Sequence, residues 1–265
     1  MSGIIAASYL RQDIVYDVDF QTNVLDVIST NGYPMPSRSR RVAANWLMLQ
    51  LKDPSIDLFD SVDTLALFAW GDPAYYQASL IDWKRTNVLY TASNVSFTAE
   101  GLIGNGTSGY VDTVFNPATS GVNYVLNKAS MGTVVYEAPT GNSTITGING
   151  MANNRLFAAN VTTHRLNGSA ALPVSVDLSG TGFTMIARPD SANLSFVKKG
   201  VNTLTTQTST SVQSANQRLL NSGAQFGNSG LSLFFMGEYI SNAQAQALRA
   251  VYNQYCEMQG IPQKA

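Results

Sequence analysis

Hydrophobic and polar positions follow two different periods along this chain. Between Ser37 and Leu51 the apolar side chains recur at helical spacing. Val42, Trp46 and Leu49 fall at i, i+4 and i+7, with Leu47 and Leu51 close to that stripe, so the spacing predicts a helix with one apolar face. Pro34 and Pro36 break the chain before it, Ser37 can cap it, and Asp53-Pro54 ends it. Arg38, Arg40 and Arg41 crowd its first turn, where the helix dipole disfavours cations, so they call for partners elsewhere or for water. Ser55 to Asp60 suits one more turn. Thr64 to Trp70 is a short apolar run closed by Gly71-Asp72-Pro73, which suits a buried strand, and Ala74 to Trp83 a short helix.

From Asn87 onward the period changes. Short strand-like runs are separated by turn residues at intervals of about 8–12 positions, the spacing of a sandwich or barrel. The runs include Tyr110–Phe115, Thr133–Glu137, Arg155–Val161, Gly182–Arg188, Leu194–Lys198 and Leu231–Met236. Asn105-Gly106, Thr140-Gly141-Asn142, Asn167-Gly168 and Lys199-Gly200 mark turns between them. No helical crossovers intervene, so the strands are expected to be antiparallel, with few polar residues between the sheets. Thr203 to Ser214 is low in complexity and reads as a mobile hairpin. At the C-terminus Ser241 to Gln244 has the S-x-x-Q form of a capping box. Leu248, Val251, Tyr252 and Tyr255 then line one helical face, and Gly260 and Pro262 stop the helix. A single amphipathic helix closing a β domain is expected on the sandwich edge.

Composition sharpens this division. Charged residues make up 12% of the 265, against about 25% in ordinary domains. Residues 1–85 carry 10 acidic and 7 basic side chains, the remaining 180 only 7 and 9, and 18 of the 21 glycines follow Arg85. We therefore expect a helical N-terminal segment over residues 1–60, serving attachment or oligomerisation, and a β-sandwich over 61–265. A net charge of −1 points to neither nucleic acid nor an anionic membrane surface as partner. Cys256 is the one cysteine, which excludes internal disulfides and cysteine-based zinc sites. Met1 to Leu10 lacks a basic n-region, and its apolar run is too short for a signal peptide.

The segment Gly101-Leu-Ile-Gly-Asn-Gly-Thr-Ser-Gly-Tyr-Val-Asp-Thr-Val-Phe-Asn-Pro117 resembles a recurring stretch of concanavalin A-like (laminin-G-like) domains in bacteriophage appendage and tail proteins. There a glycine-rich turn precedes a strand carrying Tyr, Asp and Thr. Leu231 to Leu248 looks like the usual close of the same domains, with last strand, turn and capped helix. Leu65 to Trp70 sits where those examples place an early strand. The resemblance spans roughly residues 60–258. It implies a two-sheet antiparallel jelly-roll sandwich. It also implies a non-enzymatic structural protein of a bacteriophage virion: a head fibre, a capsid decoration, or a tail or collar appendage. The expected partners are other virion proteins, further copies of the chain in a homo-oligomer, and host-surface glycans.

Glycosidases of the concanavalin A-like class, the alternative reading, carry clustered acids of the form E-x-D-x-E, and hydrolysis needs two carboxylates about 5–10 Å apart. Here Glu100, Asp112, Glu137, Asp177, Asp190, Glu238 and Glu257 are all isolated in sequence, so no catalytic residue is expected. Asp112 is a calcium candidate in laminin-G-like domains, but no second carboxylate lies near it, so neither a metal nor another cofactor is expected. His164 is the one histidine and reads as structural. Sequons at Asn94, Asn105, Asn142, Asn160, Asn167 and Asn193 read as chance in an Asn/Ser/Thr-rich chain. Candidate sugar-binding aromatics are Tyr90, Tyr110, Tyr124, Tyr136 and Tyr239, which could equally fill a core or an interface. The stripe Val42, Trp46 and Leu49 must bury itself either on its own sandwich or on a neighbouring subunit or the virion.

Overall fold

The computed structural model describes residues 14–141, 143–148 and 151–265. The opening Met1 to Leu10, Asn142 with its turn and sequon, and the Asn160 side chain lie outside them. Two antiparallel sheets form a mainly β sandwich of jelly-roll type. The large sheet runs β14 (Val201–Thr206), β13 (Asn193–Lys198), β12 (Gly182–Arg188), β6 (Ala129–Glu137), β18 (Gly230–Gly237), β4 (Gly101–Gly104) and β3 (Val95–Thr98). β1 (Val62–Leu67) shares the free edge of β18, pairing from Val62↔Gly237 to Leu67↔Leu233, while β4 takes Gly230 and Leu231. The small sheet runs β10 (Arg165–Leu166), β8 (Met151–Phe157), β7 (Thr144–Ile148), β15 (Gln217–Leu219), β5 (Tyr110–Asp112) and β2 (Thr91–Ser93). Two short ladders, β9 (Asn160–Val161) with β11 (Val176–Asp177) and β16 (Asn221–Ser222) with β17 (Gln225–Phe226), flank it.

The central strands of the large sheet, β12, β6, β18 and β1, are buried on both faces, which explains their near-continuous apolar sequences. Leu102, Val111, Met131, Ile186, Phe196, Leu219 and Phe234 fill the space between the sheets. On the other face Val134, Phe183, Met185, Leu233 and Phe235 meet a layer of helices. That layer holds a helical stretch over residues 18–30 with a π-helical turn at Gln21–Leu25, the helix Arg38–Leu51, and the C-terminal helix Asn242–Gln259. The helical segment and the sandwich thus share one core. The C-terminal helix opens on the expected capping box of Ser241 and Gln244 and ends at Gly260 in the left-handed region. It buries Leu248, Tyr252, Tyr255 and Cys256. It covers the broad face of the large sheet, not an edge, because β18 and β12 present large apolar side chains there.

Three further expectations are corrected. The helix Arg38–Leu51 buries Ala43, Ala44, Leu47, Met48 and Leu51. Val42 and Trp46 are half-buried, Trp46 packed against the core, and Leu49 is 47% exposed. Ala44, Leu47, Met48 and Leu51 also keep i, i+3, i+4, i+7 spacing, and the small alanines let the helix lie closer than Trp46 would. Its first-turn arginines do find partners: Arg40 Nη1 donates to Trp70 O at 2.7 Å and to the side-chain amide oxygen of Gln259 at 3.1 Å, and Arg41 lies over the Tyr16 ring at 5.9 Å. Second, Thr203 to Ser214 does not form a hairpin of its own; β14 is the outer arm of a hairpin with β13, closed at Lys199-Gly200. The start of that stretch belongs to edge strand β14, and Gln207 is buried, donating to His164 O and Ala170 O. Third, the space between the sheets is not free of polar groups. Arg188 is fully buried, donating to Leu166 O at 2.9 Å and Gln207 O at 2.6 Å. Tyr124 Oη, Asn154 and Asn167 form a second buried set. These groups are tolerated because each is hydrogen-bonded.

Candidate functional site

The Gly101–Pro117 segment builds a loop and then a strand. Asn105 Oδ1 accepts from the amides of Thr107, Ser108 and Gly109, closing the turn, and Gly106 takes a φ of 74° that its missing Cβ permits. The chain leaves this turn as β5. Strand alternation sends Val111 into the inter-sheet core and Tyr110 and Asp112 to the outward face of the small sheet.

The same alternation operates in three neighbouring strands. Leu219, Leu156 and Leu166 belong to the inter-sheet core, so Arg218, Arg155 and Arg165 project outward. The register aligns them. Arg165 opposes Arg155, Arg155 opposes Gly147, Gly147 opposes Arg218, Arg218 opposes Asp112, and Asp112 opposes Thr91. One row therefore crosses all six strands, with three guanidinium groups and one carboxylate. Gly147 leaves its place in the row to the β16 backbone and side chain: a Cβ there would lie 2.5 Å from Ser222 Cβ. The arginines are half-buried. Arg218 lies over the Tyr110 ring with its ζ carbon 4.6 Å from the centroid, and pairs with Asp112 at 3.5 Å. Arg155 donates from Nε to Thr163 O at 2.8 Å and lies over Phe157 at 5.4 Å. Burial lowers the Arg155 pKa, and the facing Arg165 lowers it further; burial lowers that of Arg165 as well.

The other candidates have local roles. Tyr90, Tyr124 and Tyr136 are 3%, 2% and 5% exposed, so their rings are core. Burial raises all three hydroxyl pKa values, Tyr136 to about 12. Tyr110 and Tyr239 stay half-buried. Asp112 Oδ1 accepts from the Val114 amide and from Asn216 Nδ2, which uses it as a turn anchor. His164 is fully buried, Nδ1 accepting from the Phe157 amide and Nε2 facing Val176 O at 2.9 Å. Burial pushes its pKa down to about 4, so it is a neutral core side chain. Asp190 caps the turn at Ala192 and Asn193, and Glu100 pairs with Lys264 at 3.5 Å. The sequon residue Asn167 is fully buried, closed to any glycan. Among the described residues no group of three or more His, Cys, Asp or Glu could hold a metal ion, and no helix is long and apolar enough to cross a membrane.

The arginine row is absent from the sequence reading. It had a signal: Arg155-Leu156, Arg165-Leu166 and Arg218-Leu219 are three Arg-Leu pairs among only nine basic residues after Arg85. Each pair is one outward and one inward position of a strand. What the sequence lacked was the register that aligns strands far apart in the chain.

No protein-family model matches the chain, and no curated protein matches it. Solved structures similar to it include domain 4 of an extracellular arabinanase from Geobacillus stearothermophilus in complex with arabinotriose, at 14% identity and a TM-score of 0.47 over 71% of this chain and 98% of that one. A Trypanosoma rangeli sialidase in complex with sialic acid is similar at 13% identity and a TM-score of 0.46, over 70% of this chain. A mutant of that sialidase displaying trans-sialidase activity covers 85% of this chain at 13% identity and a TM-score of 0.47. This chain spans 32% and 39% of the two sialidase chains. The neighbours are β-sandwich domains of proteins that act on or bind glycans, and the likeness concerns the fold. It corrects one expectation. The chain was read as non-enzymatic, yet an arabinanase and sialidases stand among the similar structures, so that reading is dropped.

Proposed function

We propose that this chain is a glycan-recognition component of a bacteriophage particle, such as a head fibre, a capsid decoration or a tail or collar appendage. Its sandwich meets sugars on the host surface through the outward face of the small sheet. The observation that carries the glycan part is Tyr110, half-buried on that face, with Arg218 against its ring and Asp112 beside it. An aromatic body with hydrogen-bonding groups at its rim suits a ligand that is apolar on its ring faces and polar at its edges. The particle context rests on the likeness of Gly101–Pro117 to phage appendage segments, and that segment is the one that delivers Tyr110 and Asp112 to the face. In this reading the chain assembles as a homo-oligomer with other virion proteins. The outward side of the helix Arg38–Leu51, with Leu49 exposed and Val42 and Trp46 half-buried, is the attachment surface. The test is a glycan array probed with the wild-type chain and with Arg218→Ala. Selective binding that Arg218→Ala weakens about tenfold, the worth of one charge-assisted hydrogen bond, is expected. A wild-type chain that binds no glycan on the array overturns the reading.

A further inference from the structure

The large sheet ends on a strand with no defence against further pairing. β14 is the last strand in its sheet, six residues long, without a proline, a charge or a break in its register with β13. Exposed edges of that kind recruit other strands, and proteins ordinarily blunt them with one of those devices. The turn Lys199-Gly200 has both residues in the left-handed region, at φ of 49° and 89°, which makes the flanking Lys198 and Val201 a hydrogen-bonded pair. Alternation then turns the backbone groups of Val201, Thr203 and Thr205 toward β13, and the Gln207 amide continues the series by donating to Ala192 O at 2.8 Å. Asn202, Leu204 and Thr206 turn their N–H and C=O groups outward, and among the described residues none of these groups meets a partner.

The side chains of this strand fit a second copy of the chain. Thr203 and Thr205 oppose Phe196 and Leu194, which belong to the inter-sheet core. Odd-numbered side chains therefore face that side, and Leu204 faces the side of the helices. Val201 is 67% exposed and Leu204 65%. Gln207, on the same side as Val201, donates to Ala170 O at 2.8 Å. Around it lies a hollow of about 280 Å³ lined by Ala170, Ala171, Pro173, Thr206, Gln207 and Thr208. We infer that two copies join their large sheets by antiparallel pairing of β14 with β14 across a two-fold axis at Leu204. In that register each outward N–H meets a carbonyl of the other copy. Asn202 opposes Thr206, Leu204 opposes Leu204, and Val201 opposes Gln207 beside the hollow. One operation thus covers both exposed apolar side chains, Leu204 by its counterpart and Val201 by the other copy's hollow. A two-fold interface requires such self-complementarity. No charged residue occurs from Val201 to Ser214, so no like charges meet along the paired strands. The contact is one strand wide, so the dimer dissociates on dilution. It rests on the homo-oligomer part of the proposed function alone and is independent of glycan binding.

The test is sedimentation of the intact chain over a wide range of concentration, where the wild type is expected to show a monomer–dimer equilibrium. Leu204→Pro removes an outward N–H and no bond to β13. Leu204→Lys sets two ammonium groups against each other across the axis. Each is expected to weaken the dimer about tenfold or more. Thermal unfolding of the Leu204→Lys monomer is expected to stay close to that of the wild type, because Leu204 is exposed. The register has its own readout. Leu204→Cys places two thiols at directly opposed positions, about 5.5 Å apart at Cα and within disulfide reach. Asn202→Cys leaves them about 13 Å apart along the strands. On mild oxidation the first is expected to cross-link about tenfold faster or more than the second, and the native Cys256 is buried. A wild type that stays monomeric at every concentration overturns the proposal, and glycan binding by that monomer would leave glycan recognition standing. A dimer that both Leu204→Pro and Leu204→Lys leave intact overturns it as well, by placing the contact elsewhere. Equal cross-linking of the two cysteine variants overturns the two-fold register.

Discussion

His164 shows at the residue scale how burial converts a chemically able side chain into a structural one. Its ring is fully buried and both nitrogens are engaged with backbone, at the Phe157 amide and Val176 O. Burial depresses its pKa from 6.5 to about 4. The sign follows from linkage. Between those two values the unfolded chain binds a proton that the folded chain refuses, so the stability His164 contributes is whole above pH 6.5 and is lost as pH falls toward 4. A shift of this size corresponds to about 3 kcal/mol. We expect the stability difference between the wild type and His164→Gln, measured by urea unfolding, to shrink as pH falls from 6.5 to 4. A difference that stays constant over that range would show that the histidine is not held neutral. The structural role of this residue was legible in the sequence, because a lone histidine beside a turn has no catalytic partner. The buried Arg188 was not legible. Its supports are the carbonyls of Leu166 and Gln207, and backbone acceptors leave no mark in a sequence.

At the scale of the element, most strands were readable because turn residues delimit them. Gly182–Arg188 appears in the structure with those bounds, and Leu194–Lys198 gains one residue as Asn193–Lys198. The C-terminal helix was marked by its capping box. The helix Arg38–Leu51 was found, but with its faces exchanged. Two apolar stripes compete there, and bulk favours the one with Trp46, whereas close packing on a sheet favours the one with Ala43 and Ala44. The two stripes can be told apart by measurement. Leu47 is fully buried and Leu49 is 47% exposed. Leu47→Ala is expected to cost about 2–5 kcal/mol in unfolding free energy and Leu49→Ala less than about 0.5 kcal/mol. In the proposed attachment role, Leu49→Ala would nevertheless reduce incorporation into particles while leaving the fold intact. Unchanged incorporation would remove that side of the helix from the attachment surface. The strand Thr203 to Thr206 was misread because its Thr-rich sequence is an ordinary one for an exposed sheet edge, where burial does not impose an apolar alternation.

For the whole molecule, the sequence specified a sandwich but not its third layer. Each of the two periodicities predicts an element. Neither says that the helices before β1 and after β18 meet on the same face of one sheet. That arrangement follows from strands such as β18, whose Leu233 and Phe235 face the helices while Phe234 and Met236 face the small sheet. With the central strands of the large sheet covered on both sides, the small sheet presents an outer face of the sandwich, and there the row brings together three arginines separated by up to 63 positions, from Arg155 to Arg218. Register between distant strands created that site, so no local motif could announce it. The central claim is that this face is where glycan binds, and the most direct measurement is mapping of amide chemical-shift changes when a glycan selected on the array is titrated into the labelled chain. The account predicts that the largest changes cluster at Tyr110, Asp112, Arg155, Arg165 and Arg218. Changes confined to another region, such as the groove of about 270 Å³ beside Asp177, Lys198 and Val201, would contradict it.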